Sequence, residues 1–491
     1  MAILIVVNNP SDWKLDIPGV DVVSAKGYLT ESRYSELTRA KVFNCCRSYR
    51  YQSFGYYVSL LAAARGHKPL PSITTIQDLK LQTMIRLAGE DLSDLIQHSL
   101  RPLHPGTFEL SVYFGRNLAK RYDRLALALF NLFPAPLMRA KFEHDPEAGW
   151  QLRALQPIPA ADVPPDHWLF LMYAANEYFL GHGRLKGRPA PSRSDLAILY
   201  NDKAEHSPSN DGAIKKFLRA AREVGFSPEV ISKDDYGRLA EFDALFIRET
   251  TFVNHHTYRF SRRADAEGLV VIDDPVSIVR CTNKVYLAEL LEKNEIKGPR
   301  TMIIHQGNMD EVPLWVGFPC VLKIPDGAFS QGVVKAVGPA DLKEHLDRML
   351  EKSDLVIAQE FLPSEFDWRI GLLGGRPLFA CKYHMARGHW QIVDSDKDGE
   401  REFGQVETIP IHDAPHRVVQ TAVKTASLIG DGLYGVDIKQ VAGKVYVMEV
   451  NDNPNIDSGY EDRVLKSDLY KTIMQTMFDR VEARRAGRAL K

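Results

Sequence analysis

Three oxygen-bearing side chains near the C-terminus, Asp437, Glu449 and Asn451, have the types and spacing of a divalent-cation site. They stand on two short apolar runs, 435–438 and 445–451, separated by the tight-turn residues Ala442, Gly443 and Lys444, a pattern that predicts a β-hairpin. Strand side chains alternate between faces, so Val445, Val447, Glu449 and Asn451 are expected to share one face. Asp437, on the preceding strand, can then sit opposite the other two. Mg2+ takes few protein carboxylates and completes its octahedron with water and phosphate oxygens, which suits three oxygen donors on rigid strands. The same alternation also fits a hairpin whose polar face lies in water. The following run, Asn451-Asp452-Asn453-Pro454-Asn455, cannot continue a central strand and predicts a sharp turn that gathers more polar groups beside the carboxylates.

A second candidate is Lys323, a lysine inside the apolar run 320–324, followed by a glycine-containing loop and another strand at 333–337. An ammonium there can neutralise phosphate while loop N–H groups cover it. An ordinary hairpin reads the same way, and no GxxxxGK[ST] loop occurs. Farther upstream, Arg248 and Glu249 fall at the C-terminal end of a predicted strand, where open α/β sheets place ligands, although a solvated charge is the commoner use of such a position. The cluster Arg47, Tyr49, Arg50, Tyr51 and Ser53 precedes a predicted helix and fits either an anion site at a helix N-terminus or a polar turn.

The elements that must position these residues follow from length and pattern. At 491 residues the chain is too long for one core and is expected to form about three domains. Residues 1–165 read as an α/β unit with strands at 2–7, 20–24 and 41–45 and helices at 76–99 and 116–131. A helix and a basic, glycine-rich linker occupy 166–194, after a proline-rich boundary at 157–165. Strand–helix alternation over 195–280 predicts a small parallel sheet, with Asn210 and Asp211 as helix N-cap candidates. The remaining segment, 281–491, ends in a helix at 468–486 and a basic tail.

A formal net charge of −1 gives no electrostatic footprint for nucleic acid or an anionic membrane. Five scattered cysteines fit free thiols in a reducing cytoplasm, and Cys45-Cys46 has neither a zinc nor a CxxC spacing. The opening apolar run 2–7 is short, lacks a basic flank and reads as a buried strand rather than a signal peptide, and no run is long enough to span a bilayer. The expectation is a cytoplasmic protein without nucleic-acid or membrane partners.

Six motifs, in this order, resemble the RimK-like ATP-grasp ligases: Ile278 to Lys284; Val321-Leu322-Lys323; the loop from Asp326 to Gly332; Ala358 to Leu362; Asp367-Trp368-Arg369; and Asp437 with Glu449-Val450-Asn451. The resemblance covers about 210 residues, and 1–165 is similar to the N-terminal extension of one subfamily. It implies an α/β and α+β multidomain architecture, an ATP-grasp fold preceded by a small parallel α/β domain and a separate N-terminal α/β domain. The nucleotide lid would span about 300–362 and the Mg2+-binding catalytic part about 363–465.

By the same resemblance Lys284 and Lys323 contact ATP phosphates, with Asp326, Gly327, Ser330, Gln331 and Gly332 closing over them. Gln359, Glu360, Phe361 and Leu362 form the adenine hinge, and Asp367 also faces the nucleotide. The resemblance implies that Asp437, Glu449 and Asn451 would hold two Mg2+ ions, for which Mn2+ could substitute. By the resemblance Arg369 would stabilise the acyl-phosphate transition state or bind a substrate carboxylate, and Arg248 occupies the place of an arginine that lines the substrate side in relatives.

After Arg387, where Gly388 to Asp394 stands, the sequence departs from the family pattern, leaving Lys382, His384, Arg387 and Lys439 as candidates for the acceptor side. The implied reaction is ATP-dependent ligation of a carboxylate, a glutamate-like one included, to an amine by way of an acyl phosphate. The implied substrates are amino acids, peptides or a protein C-terminus, and the implied assembly is a homo-oligomer. A small-molecule kinase or carboxylase, or a nucleotide-binding regulator without turnover, would use the same motifs.

Overall fold

The computed structural model describes residues 2–37, 39–180, 194–204, 207–326, 332–385, 393–395 and 401–486, and the chain divides into two compact units. Unit 1 comprises residues 1–191 and 234–242, and unit 2 comprises 192–233 and 243–491.

In unit 1, strands β1 (Ala2–Val7), β2 (Asp21–Ser24), β3 (Ala40–Asn44) and β4 (Lys68–Leu70) form a parallel sheet in the order β2-β1-β3-β4. A separate antiparallel sheet holds β5 (Thr107–Tyr113), β6 (Leu137–Asp145) and β7 (Gly149–Pro157). This second sheet is absent from the sequence-based expectation, although Trp150, Leu152 and Leu155 and, in β6, Ala140 and Phe142 carry a half-buried strand's apolar positions. The helix expected at 116–131 runs Asp123–Leu132, and 76–99 holds parts of three shorter helices.

The cluster at 47–53 is a polar turn. Arg47 pairs with Asp12 at 2.6 Å, Tyr49 donates to the Asn44 carbonyl at 2.5 Å, and Ser53 caps the helix Phe54–Ala64. The helix Trp168–Leu180 belongs to unit 1. It buries Leu171, Ala174, Ala175 and Phe179, with the Phe179 ring edge-on to Phe43 at 4.9 Å.

Residues 234–242 come from the stretch read as the second α/β region, yet they complete unit 1. Glu241 is buried there, its carboxylate 2.5 Å from the buried Lys41 ammonium and accepting the Tyr178 hydroxyl. Removing one member of a buried ion pair leaves an uncompensated charge. Glu241→Ala is therefore expected to lower the unfolding free energy of unit 1 by about 3–5 kcal/mol, read from denaturant midpoints.

Unit 2 opens with a parallel sheet of β8 (Ser194–Leu199), β9 (Phe226–Ile231), β10 (Ala244–Ile247) and β11 (Val270–Ile272), in the order β11-β10-β8-β9. The helix Asp211–Val224 starts at Asn210, whose side-chain oxygen accepts the Ala213 N–H at 2.9 Å. Strands β12 (Thr301–Ile304), β13 (Cys320–Lys323), β14 (Val333–Ala336) and β15 (Val356–Glu360) form an antiparallel sheet ordered β12-β15-β13-β14.

Next come β16 (Phe366–Leu373) and β17 (Arg376–His384), then the short ladder of β18 (Val393–Ser395) with β19 (Arg401–Phe403). With β20 (Val406–Ile409), β21 (Leu433–Val441) and β22 (Lys444–Asn451), β16 and β17 make a five-stranded antiparallel sheet ordered β20-β17-β16-β21-β22. The C-terminal helix Ser467–Arg485 returns to the parallel sheet, packing Tyr470 edge-on to Phe217 and Phe478 edge-on to Phe226. One core therefore mixes Leu196, Phe246, Phe379, Leu433 and Met474, joining sequence regions 195–280 and 281–491 in one unit. Among the described residues, no helix is long and apolar enough to cross a membrane.

Candidate functional site

The five-stranded sheet carries most of the charged candidates on one face. Arg369 on β16 lies directly opposite Asp437 on β21, and the two make a bidentate ion pair with Nε–Oδ1 and Nη2–Oδ2 both 2.7 Å. The Arg369 guanidinium also covers the Tyr383 ring at 4.7 Å, and the Tyr383 hydroxyl donates to Glu461 at 2.5 Å. Burial works against the charge on Arg369, but Asp437 and Tyr383 outweigh it and hold its pKa above the ordinary range. One residue pair along, the Lys439 ammonium sits 2.5 Å from Asp367 and 2.6 Å from the Ser364 hydroxyl.

The expected alternation along β22 is corrected by a bulge. The register with β21 shifts between Asp437 and Ile438, so Asp437 faces Glu449 while Ile438 faces Val447. Val445 and Val447 point into the core with Val450, and Glu449 and Asn451 point to the other face, with Asp437. Had the strand kept strict alternation from Val447, Glu449 and Asn451 would both have entered an apolar core. Asn451 donates its amide to Asp437 at 3.2 Å, and the Glu449 side chain is 37% exposed, 3.5 Å from the Lys284 ammonium.

On the four-stranded sheet, Lys323 donates to the Gln359 side-chain oxygen at 2.7 Å, and Gln359 donates to Thr301 at 3.1 Å. Burial lowers the Lys323 pKa to about 8, with Glu449 acting in the opposite sense. Lys284 begins the helix Lys284–Lys293, capped by Asn283, whose amide donates to Asp326 at 2.8 Å. The Lys284 N–H donates to the Pro325 carbonyl at 3.0 Å, so this helix start and the 325–326 turn form one corner. Glu360 is engaged by Arg300 at 3.1 Å, Lys335 lies 4.5 Å over the Phe361 ring, and Leu362 is buried. A cleft of about 640 Å3 runs between this sheet, the helix Lys284–Lys293 and β22, lined by Lys284, Leu291, Trp315, Lys323, Gln359 and Met448 among others. Glu360, Phe361, Leu362 and the three oxygen donors lie outside its lining.

Comparison with known families matches two separate stretches of the chain. Residues 25–174 match the RimK-like ATPgrasp N-terminal domain, and residues 281–477 match the RimK-like ATP-grasp domain. The chain carries a RimK-like ATP-grasp domain together with the RimK-like N-terminal domain. Its architecture is multidomain α/β, an ATP-grasp-like fold preceded by distinct N-terminal domains. A probable alpha-L-glutamate ligase of Teredinibacter turnerae is 26% identical over 227 residues, 45% of this chain and 72% of the relative. A protein of the same description from Maridesulfovibrio salexigens is 26% identical over 235 residues, 47% of this chain and 74% of the relative. Among solved structures, D-alanine–D-alanine ligase from Bacillus anthracis covers 59% of this chain and 99% of its own, at 15% identity and a TM-score of 0.47.

Within the RimK-like domain, the structure gathers Lys284, Arg369, Asp437, Glu449 and Asn451 by direct contacts, and Lys323 lines the cleft with Lys284. Gly332 adopts φ 71°, a left-handed conformation that suits glycine, and its carbonyl accepts the Ile324 N–H. Gly327, Ser330, Gln331 and Arg387 lie outside the described residues.

Other expectations change. Arg248 does not line an open substrate side. It is 0% exposed and donates to Ser209, Asn453 and the Pro208 and Pro454 carbonyls. Lys382 and His384 project from the sheet face opposite Arg369, because Lys382 pairs with Trp368 and lies over its ring, and both reach Glu407. Asp367 is committed to Lys439.

Sequence reasoning missed the Glu249–His256 contact, at 2.7 Å beside the end of β10, and the buried Tyr383–Glu461 pair. The Glu249–His256 separation of seven residues crosses a loop, and no helical or strand period signals it.

The Lys323 pKa yields a direct measurement. Competitive labelling of amines between pH 6 and 11 is expected to place Lys323 near 8 in the nucleotide-free protein, against about 10.4 for an ordinary lysine. Bound phosphates favour the charged form, so addition of ATP should move that midpoint upward. A midpoint near 10 without nucleotide would contradict the burial of the ammonium.

Proposed function

We propose that this RimK-like ATP-grasp protein is an ATP- and Mg2+-dependent ligase that joins a carboxylate to an amine. The observation that carries the reading is the single polar patch at which the bulged end of β22, the Arg369–Asp437 pair and the start of the helix Lys284–Lys293 meet. Membership of the ATP-grasp ligase superfamily supports the reaction class. The names of the glutamate-ligase relatives favour a glutamate-like substrate, free or as a peptide.

The donor set fits a hard divalent cation, with two carboxylates and one amide whose nitrogen is turned to Asp437, leaving its oxygen for other partners. Glu449, Asn451 and Asp437 would hold Mg2+, which supplies Lewis-acid neutralisation of phosphate oxygens. Among the described residues no group of three His, Cys, Asp or Glu side chains converges on a metal position. The amide of Asn451 is therefore a necessary member of the proposed set.

In the proposed reaction, a substrate carboxylate oxygen attacks the γ-phosphorus of ATP and ADP departs, giving an acyl phosphate. An amine nitrogen then attacks the acyl carbon, loses a proton and expels phosphate, giving an amide. Lys284 and Lys323 would offset phosphate charge. Arg369 spends Nε and Nη2 on Asp437, while Nη1 has no hydrogen-bond partner among the described residues and is available for developing charge. Most of the rate enhancement in such chemistry comes from alignment and fixed electrostatics.

Glu449 is half-open and outside the core, so Glu449→Ala should leave the fold intact while lowering turnover by about 10²–10³-fold. The test is ADP and phosphate release with ATP and Mg2+ against amino acids added singly and in pairs, with mass spectrometry of products. Release that needs a carboxylate–amine pair and yields a condensed product supports the ligase. A phosphorylated or carboxylated product, or normal turnover by Glu449→Ala, would overturn it.

A further inference from the structure

Open α/β sheets bind ligands at the C-terminal ends of their strands, in the crevice where strand order reverses. In the parallel sheet of unit 2 that reversal lies between β8 and β10, since the order is β11-β10-β8-β9. Here the crevice is filled from within. Arg248, the residue after β10, continues the sheet by donating its N–H to the Leu199 carbonyl at 2.8 Å, and its side chain is fully buried. Nε donates to the Ser209 hydroxyl at 3.0 Å, Nη1 to the Asn453 side-chain oxygen at 2.5 Å, and Nη2 to the carbonyls of Pro208 and Pro454 at 2.5 and 2.9 Å. Four of its five N–H donors are thus spent on the chain's own oxygens.

These acceptors belong to two segments. One is the turn after β8. The other begins immediately beyond Asn451. Further bonds bind the second segment to the sheet: Asn453 to the Glu249 carbonyl at 2.7 Å, Thr251 to Asp452 at 2.7 Å, Ser209 to the Ile456 carbonyl at 2.8 Å, and Ile456 N–H to the Pro208 carbonyl at 2.9 Å. Gly435 on β21 admits the same segment. A Cβ there would lie 2.8 Å from the Pro454 Cβ. The chain leaving β22 is consequently held at its first turn by a cation that cannot move without breaking several charge-assisted hydrogen bonds.

We infer that Arg248 is a positioning residue: its guanidinium takes the ligand's place at the switch point of the parallel sheet and fixes the 452–456 turn, and so the Asn451 end of β22, for divalent-cation binding. The inference rests on the proposed Mg2+ role of Glu449 and Asn451. Burial lowers the Arg248 pKa to about 10 even against the opposing pull of Asp273, Asp457 and Glu461, and the group is cationic at neutral pH. A lysine at this position has one ammonium in place of a planar fork and cannot reach all four acceptors together.

The test is calorimetric binding of a non-hydrolysable ATP analogue to the full chain at stepped MgCl2 concentrations and in EDTA. Arg248→Lys is expected to raise the MgCl2 needed for half-maximal enhancement of binding by about 10-fold or more, the usual effect of losing a group that orients a metal ligand, while binding in EDTA stays unchanged. Asn453→Ala removes one acceptor and should give a shift in the same direction. The double variant should shift less than the sum of the two, as residues in one network do. If Arg248→Lys fails to fold, Asn453→Ala decides alone. Unchanged MgCl2 dependence in the folded variants, with Glu449→Ala abolishing the wild-type dependence, would overturn the positioning role alone. Wild-type MgCl2 dependence surviving in Glu449→Ala would overturn the metal reading beneath it.

Discussion

The bulge in β22 is the constraint on which the proposed chemistry depends. A strand in the middle of a protein has two faces, and a one-residue slip exchanges them. Val445, Val447 and Val450 all belong to the apolar face, packed with Val418, Ala422 and Ala426 of the helix His416–Ile429, although 447 and 450 have opposite parity. One extra residue between them resolves the conflict and turns Glu449 and Asn451 toward Asp437. Burying either polar group in that core without a partner would cost several kcal/mol, on the order of 2–7. Core packing thus decides where the polar end of the strand points.

Once the two faces are set, charge is managed by pairing. Arg369 with Asp437 and Lys439 with Asp367 join the adjacent strands β16 and β21, and Tyr383 on β17 donates to Glu461 in the segment after β22. Such pairs add little net stability compared with apolar packing, but breaking one leaves a buried charge. They make the surface rigid and predisposed to one arrangement. Glu449 stands apart as the carboxylate left substantially open, and Lys323 as the ammonium whose surroundings already weaken its charge. Electrostatic preorganisation of this kind favours ligands that bring phosphate and a hard cation together.

The same economy appears at the parallel sheet. A crevice that would take a ligand is occupied by Arg248 and the turn beyond Asn451, so the small sheet anchors the end of β22. The C-terminal helix adds to the anchoring, because Tyr470, Met474 and Phe478 bury themselves on the helix Asp211–Val224 and its neighbours rather than on the sheet that precedes them in sequence. Regions 195–280 and 281–491 consequently share a core.

By itself the sequence determined the strand–helix alternation that opens unit 2, the hairpin of β21 and β22 and the C-terminal helix, because strong local periods and caps such as Asn210 act within a few residues, whereas β17, β20 and the helix His416–Ile429 were not legible in it. It also singled out Asp437, Glu449, Asn451 and Lys323, polar residues amid apolar runs, whereas Lys284 was marked only by the family resemblance. Tertiary structure alone decided which side of β22 they occupy, that Lys382 and His384 fall on the opposite face, and that Arg248 is interior. It also decided that 234–242 completes unit 1, where Glu241 meets Lys41 across 200 positions of sequence. Each of these depends on the partner a residue meets far along the chain. A local pattern records the period of a strand or helix and carries no information about that partner.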